Sequence, residues 1–248
     1  MMTTVGDGRP APAPSPQAAA GREMSLEDVE LVRLARDTVI CAALSGGRLA
    51  PMIGADGRGS QGYTPFLGRY LEEPGAVFTR ISKRELRDGQ WINRMRGCQA
   101  ASLLNPDSEP IADMTVRSAR VSATQARKVM AGPAVFHKPV WPEELGAISL
   151  FVYVIERFVP TTALTASELL EEGHDVINWG LIAVGDGYRG VICGDLPAVR
   201  DIDTQVAAAC RKMQNGVEIR PHDPSEVTFI RIKGRWLWDP ARPKSEFF

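Results

Sequence analysis

Three pairs of β-prone runs, each joined by a short turn containing glycine, constrain this chain more than any other feature. Ala76-Val77-Phe78-Thr79-Arg80-Ile81 is followed, across Asp88-Gly89, by a run through Trp91 and Ile92 to Cys98. The apolar runs 181–184 and 189–192 flank Gly185-Asp186-Gly187-Tyr188, and the run 227–232 leads through Lys233-Gly234 to Trp236-Leu237-Trp238. Turns this short join antiparallel neighbours, because parallel strands need a long crossover between them. Two hairpins are therefore expected, and at 227–238 a third hairpin or a terminal sheet edge.

Between these pairs the apolar periodicity turns helical. Ser25-Leu26-Glu27-Asp28 has the form of a capping box, and Val29, Val32, Leu34, Ile40 and Ala43 share one side of the helix that follows, ended by Gly46-Gly47. Met114, Ala119, Ala123 and Ala126 predict a helix over 111–130, stopped by Gly132-Pro133. Trp141-Pro142-Glu143-Glu144-Leu145 predicts a single helical turn ahead of 148–155, the most apolar run in the chain. Ser167 is placed to cap a short helix through Leu170, and Val206, Ala209, Cys210 and Met213 share one face of a helix over 204–213. Residues 51–68 are glycine-rich and read as a loop. Hairpins mixed with helices, without regular strand-helix alternation, predict an α+β fold with a mainly antiparallel sheet flanked by helices.

Composition removes several function classes. Among 248 residues, 29 Lys and Arg balance 30 Asp and Glu for a net charge of −1, so no global field draws the chain to nucleic acid or an anionic membrane. The densest basic run, Arg80-Ile81-Ser82-Lys83-Arg84-Glu85-Leu86-Arg87, reads as a solvated face. Cys41, Cys98, Cys193 and Cys210 lack the paired spacing of zinc or redox motifs, which points to reduced thiols in a cytoplasmic protein. His137, His174 and His222 stand far apart, so no metal or cofactor is expected. No run is long and apolar enough to span a bilayer, and no signal peptide is expected at the N-terminus. Residues 1–23 form a Pro/Ala/Gly-rich tail with little to bury, expected to be disordered, and 241–248 a short C-terminal tail. Gly185-Asp186-Gly187 lacks the Lys-Ser/Thr ending of a phosphate-binding loop and reads as a β-turn.

One motif carries chemistry. Arg94-Met95-Arg96-Gly97-Cys98 sets a thiol beside two guanidinium groups, and in an extended strand the alternation of side chains turns Arg94, Arg96 and Cys98 to one face. Fixed positive charge favours the thiolate, which is the form that attacks electrophiles. Gly97 leaves the other face open to a ligand. A buried structural cysteine with Arg96 paired to a carboxylate is the competing reading.

Met95-Arg96-Gly97-Cys98 resembles the Leu-Arg-Gly-Cys core of the AMME chromosomal-region domain family, the A component of the AmmeMemoRadiSam system, and Gly75-Ala76-Val77-Phe78-Thr79 resembles the strand before it. Pro139-Val140-Trp141-Pro142-Glu143-Glu144-Leu145, then Gly180-Leu181-Ile182 with Tyr188-Arg189-Gly190, Leu196-Pro197-Ala198-Val199 and Cys210-Arg211-Lys212 follow in the family's order. The chain departs from the pattern at Gln99-Ala100, at Phe136-His137-Lys138 and at Cys193-Gly194-Asp195. The resemblance implies one two-lobed α+β domain over 24–240, a cytoplasmic setting, and a Memo-like or radical-SAM partner protein. It implies no settled reaction.

Two functional readings follow. In the first, the chain is a cysteine-dependent enzyme or enzyme component acting on a small electrophilic or anionic intermediate: Cys98 is the nucleophile, Arg96 stabilises thiolate or anion, Arg94 and Gly97 line the binding face, and His137 is a candidate base. In the second, it is a noncatalytic adaptor that docks onto a partner enzyme through its aromatic C-terminus, Trp236, Trp238, Phe247 and Phe248. Ordinary packing of those tryptophans against the last sheet competes with the docking reading.

Overall fold

The computed structural model describes residues 23–48, 64–87, 90–101, 109–124, 127–129, 135–137, 139–185, 188–196, 198–213 and 227–239, with 84–101, 127–129 and 135–137 described by their backbone pairing. The tail expected over 1–23 lies outside these residues except for its last member, and the tail at 241–248 lies wholly outside them. So do the turn residues Asp88-Gly89 and Asp186-Gly187, and Gly132-Pro133.

The first helix, α1 (Leu26–Ser45), begins as its sequence dictates. Ser25 accepts the Asp28 amide at 3.2 Å while the Asp28 carboxylate accepts the Ser25 amide at 3.0 Å, so two orphan donors are satisfied reciprocally. At the other end Gly46 adopts φ 61°, a left-handed conformation that closes the helix and that a residue with a Cβ resists. The buried stripe differs from the expected one. Leu31, Leu34, Ala35, Thr38, Val39 and Ala42 are sealed, whereas Val29, Ile40 and Ala43 sit at its margin. The spacing of three and four is intact, but the helix packs against both the sheet and α3, which rotates the buried face.

The loop expected over 51–68 lies outside the described residues up to 63, and its end forms α2 (Thr64–Leu67), which runs into a 3₁₀ turn at Gly68–Leu71. There follows the longest hairpin, β1 (Ala76–Arg87) with β2 (Gln90–Ala101), as its turn residues predict. The next helix, α3 (Ile111–Thr124), is shorter than expected. Arg127–Val129, read as its continuation, is instead β3, paired antiparallel with β4 (Val135–His137). Met114, Ala119 and Ala123 are buried as their spacing predicts, while Ala126 lies outside the described residues.

After the 3₁₀ turn Pro142–Glu144 comes β5 (Ile148–Pro160) and then α4 (Ala166–Glu171). The cap of α4 is Thr165, not Ser167: the Thr165 hydroxyl accepts the Glu168 amide, and Glu168 returns a bond to the Thr165 amide, both at 3.2 Å. The capping box starts two residues earlier because Glu168 stands three residues after Thr165, whereas the residue three after Ser167 is Leu170, whose side chain cannot accept a hydrogen bond. The second hairpin, β6 (Gly180–Gly185) with β7 (Tyr188–Ile192), forms as expected, and α5 (Ile202–Met213) follows it.

At 227–238 neither a third hairpin nor a terminal edge forms. β8 (Thr228–Trp238) runs straight through Lys233-Gly234 between β5 and β6. Gly234 is there for a close approach. A Cβ at this position would stand 2.4 Å from the Val154 carbonyl oxygen and 2.8 Å from the Tyr153 ring, so the glycine admits a neighbouring strand instead of making a turn.

The strands form a six-stranded antiparallel sheet in the order β2-β1-β5-β8-β6-β7, which with its helices is the expected α+β fold. One face is covered by helices in two groups. Val77 and Ile81 of β1 and Leu150, Val152 and Val154 of β5 pack under α1 and α3, while Leu181, Ala183 and Phe229 pack with Leu169 and Ala209 of α4 and α5. The opposite face curls inward and is filled by the sheet's own side chains, among them Phe78, Tyr153, Ile182, Val191, Ile232 and Trp236. Trp236 donates its indole N–H to the Gly194 carbonyl at 3.0 Å, and the Gly194 amide lies 3.4 Å from the Tyr153 hydroxyl, tying the end of β7 back across the inner face. Among the described residues no helix is long and apolar enough to cross a membrane.

Candidate functional site

The register of the β1–β2 ladder decides what Cys98 faces. From the turn inward, Arg87 pairs with Gln90, Lys83 with Arg94 and Ser82 with Met95; then the register shifts, and Ile81 pairs with Gly97 and Arg80 with Cys98. Arg96 is the extra residue, opposite no single partner. A bulge of this kind changes which positions share a face on its two sides. The arginine-glycine-cysteine motif is thus the irregularity in the hairpin.

The uniform alternation expected over Arg94, Arg96 and Cys98 is interrupted in the backbone ladder at Arg96. Arg94 falls in the row of Lys83, whose ammonium lies on the helix-covered side, 3.0 Å from Glu144. Cys98 is the ladder partner of Arg80, which pairs on its other side with Phe151 of β5. Gly97 is the ladder partner of Ile81. His137 is carried by β4, which comes within 8 Å of β2 between Cα atoms, so the fold brings its strand toward that of Cys98.

Arg80 is the residue that sequence reasoning missed. It was grouped with a solvated basic run, yet its strand lies between β2 and β5, and its guanidinium stands 5.8 Å from the centroid of the Phe151 ring. Its Nε is sealed from solvent without a hydrogen-bond partner, and so is the hydroxyl of Ser82, two residues along on the same face. Behind them the aromatic rings interlock: Phe151 meets Trp236 edge-on at 6.3 Å, and Tyr153 lies 4.8 Å from Trp236. Burial drives the Tyr153 hydroxyl far above its usual range, so it stays protonated. The alternation Phe78, Arg80, Ser82 was the available signal. Counting back from a two-residue turn without the bulge, however, sets Arg80 opposite Gly97 and hides the pairing.

The remaining titratable groups behave as structure. His174 is sealed and its Nε2 stands 2.6 Å from the Gln205 side-chain oxygen, whose amide in turn donates to the Trp179 carbonyl at 2.9 Å. Desolvation lowers its pKa, and the ring is neutral at pH 7. Cys210 packs partly into the α5 core, and burial pushes its thiol up, which agrees with a packing role for that residue. Cys193 is buried in the inner-face cluster. Trp236, one of the aromatics considered for docking, is committed to that same cluster, while His222, Phe247 and Phe248 lie outside the described residues.

No family model matches the chain, and no curated protein matches it. Among solved structures it is similar to an uncharacterised protein from Pyrococcus horikoshii, with a TM-score of 0.59 and 19% sequence identity, over 86% of this chain and 92% of that one. At that identity the likeness carries the fold alone.

Proposed function

We propose that the chain is a cysteine-dependent enzyme, or a component of one, acting through Cys98 on a small electrophilic or anionic intermediate, with Arg96 stabilising the thiolate or the anion. The observation that carries this reading is the register shift at Arg96, which makes Cys98 the direct cross-strand neighbour of Arg80. Bulges re-aim side chains and are over-represented beside active sites. A guanidinium opposite the thiol favours its ionised form. In the chemical step the thiolate forms a bond to an electrophilic carbon as the bond from that carbon to its leaving group breaks, the electron pair departing with that group, and the thiol's proton has gone beforehand to solvent or to a base, for which His137 on the adjacent β4 is the candidate.

The resemblance to the AMME chromosomal-region family extends this reading to a cytoplasmic setting and to work beside a Memo-like or radical-SAM enzyme. The deciding experiment is the pH dependence of Cys98 alkylation in the folded chain, followed by mass spectrometry with Cys41, Cys193 and Cys210 as internal references. A Cys98 reaction that outpaces the others and persists well below a thiol pKa of about 8.5 supports the enzyme. Protection of Cys98 until the chain unfolds overturns it and leaves the noncatalytic adaptor docking onto such a partner.

A further inference from the structure

We infer that the inner face of β1 beside Cys98 is a carboxylate-binding site, formed by the guanidinium of Arg80 and the hydroxyl of Ser82. The connection to Cys98 rests on the function proposed above; the site itself does not.

Ser82 is 2% exposed and its hydroxyl has no hydrogen-bond partner, and the Nε of Arg80 is equally sealed and equally unpartnered. Native folds leave few buried polar atoms unpaired, and these two stand on one face of one strand, two residues apart. Both can donate a hydrogen bond, and a guanidinium can only donate. What is missing between them is an acceptor.

Charge and surroundings select its class. Among the described residues the interaction the structure gives Arg80 is with the Phe151 ring and not with a carboxylate, so the guanidinium's charge is left for a ligand. One cation inside an aromatic wall neutralises a monoanion, whereas a phosphate dianion would bury a surplus negative charge. Two oxygens on one carbon also suit one donor from Arg80 and one from Ser82. Ser149, buried and directly across the ladder from Ser82, supplies a further hydroxyl at the same level. In the enzyme reading this site anchors the carboxylate of a compound whose electrophilic centre reaches Cys98.

Two alkylating agents of the same size separate the anchor from simple thiol reactivity. Iodoacetate carries a carboxylate and iodoacetamide does not; each loses iodide as the sulfur–carbon bond forms. The full chain is treated with each at pH 7, and the rate ratio of iodoacetate to iodoacetamide is read at Cys98 and Cys41 by mass spectrometry. The site predicts a ratio at Cys98 at least about tenfold above that at Cys41, lost in Arg80→Met, reduced in Ser82→Ala and kept in Arg33→Met, a change of an exposed arginine on α1. Equal ratios at the two thiols overturn it.

If neither reagent reaches Cys98, the enzyme reading fails and the anchor is tested without the thiol. The Arg80 Nε–H resonance is followed by NMR while sodium benzoate or inorganic phosphate is added at constant ionic strength. A saturable shift with benzoate that Ser82→Ala weakens supports the site. No shift with either anion means that water alone fills the gap and overturns it. A shift with phosphate and not benzoate overturns the carboxylate class.

Discussion

Arg235, near the end of the last strand, donates to both oxygens of Asp28, the third residue of the first helix, at 2.5 and 2.7 Å. Tyr70 donates to the same carboxylate at 2.5 Å, and Arg235 also contacts the Tyr70 hydroxyl. One carboxylate therefore caps α1, pins the 3₁₀ turn at Gly68–Leu71 and fastens β8 to the helix layer. Burial alone would raise the pKa of Asp28, but the hydrogen bonds from Arg235, Tyr70 and the Ser25 amide outweigh it and hold the carboxyl at about 2.

A pH dependence follows from that depression. The group contributes stability that is fully present above its unfolded pKa of 3.8 and is lost as pH falls toward about 2. Linkage sets the contribution at about 2 kcal/mol. Urea denaturation of the wild type between pH 5 and pH 2 should show this loss, with its acid limb flattened in Asp28→Asn. Arg235→Met, which takes the bidentate partner from the buried carboxylate and leaves it Tyr70, the Ser25 amide and Arg69 at 4.0 Å, should cost about 3 kcal/mol at pH 7.

His174 works in the same direction at higher pH. Its folded pKa lies below the unfolded value of 6.5, so the unfolded chain binds the extra proton and stability falls as pH drops through about 6.5. The slope approaches about 1.4 kcal/mol per pH unit, the free energy of one proton. His174→Gln should remove that slope between pH 7 and pH 5.5, where Asp28 is still fully ionised, and chemical denaturation at the two pH values checks it.

Gly234→Ala should destabilise the chain by about 1–3 kcal/mol, because the new Cβ meets the Val154 carbonyl at 2.4 Å and main chain cannot swing aside. Gly146, where an added Cβ meets nothing within 4 Å, provides the comparison: Gly146→Ala should lie within about 0.5 kcal/mol of wild type. Thermal melts of the two variants measure the difference.

The cap of α4 gives a third contrast. Thr165→Ala removes the acceptor of the Glu168 amide and should cost about 1 kcal/mol, whereas Ser167→Ala, inside the helix, should cost close to nothing. Equal losses in chemical denaturation would contradict the assignment of Thr165 as cap.

What could be read from sequence was local. The capping box at Ser25 and Asp28, the left-handed Gly46, the β1–β2 and β6–β7 hairpins and the buried face of α3 all follow from side-chain periodicity and turn chemistry over a few residues. The failures share a cause. Gly234 has the composition of a turn, but it sits in a continuous strand because β5 approaches it from the side. The motif at 94–98 looks like uniform alternation, but one extra residue in the ladder separates the row of Arg94 from the row of Cys98.

By itself, then, the amino-acid order determined where α1 begins and ends, the β1–β2 and β6–β7 hairpins, and that the sheet is antiparallel, since these rest on interactions between residues close in the chain. The tertiary structure alone decided that Arg80 pairs with Cys98 across the ladder, that Arg235 closes on Asp28, and that Trp236 packs into the inner face. Each of those depends on register and curl between strands distant in sequence, and a shift of one residue is enough to turn a side chain to the other face.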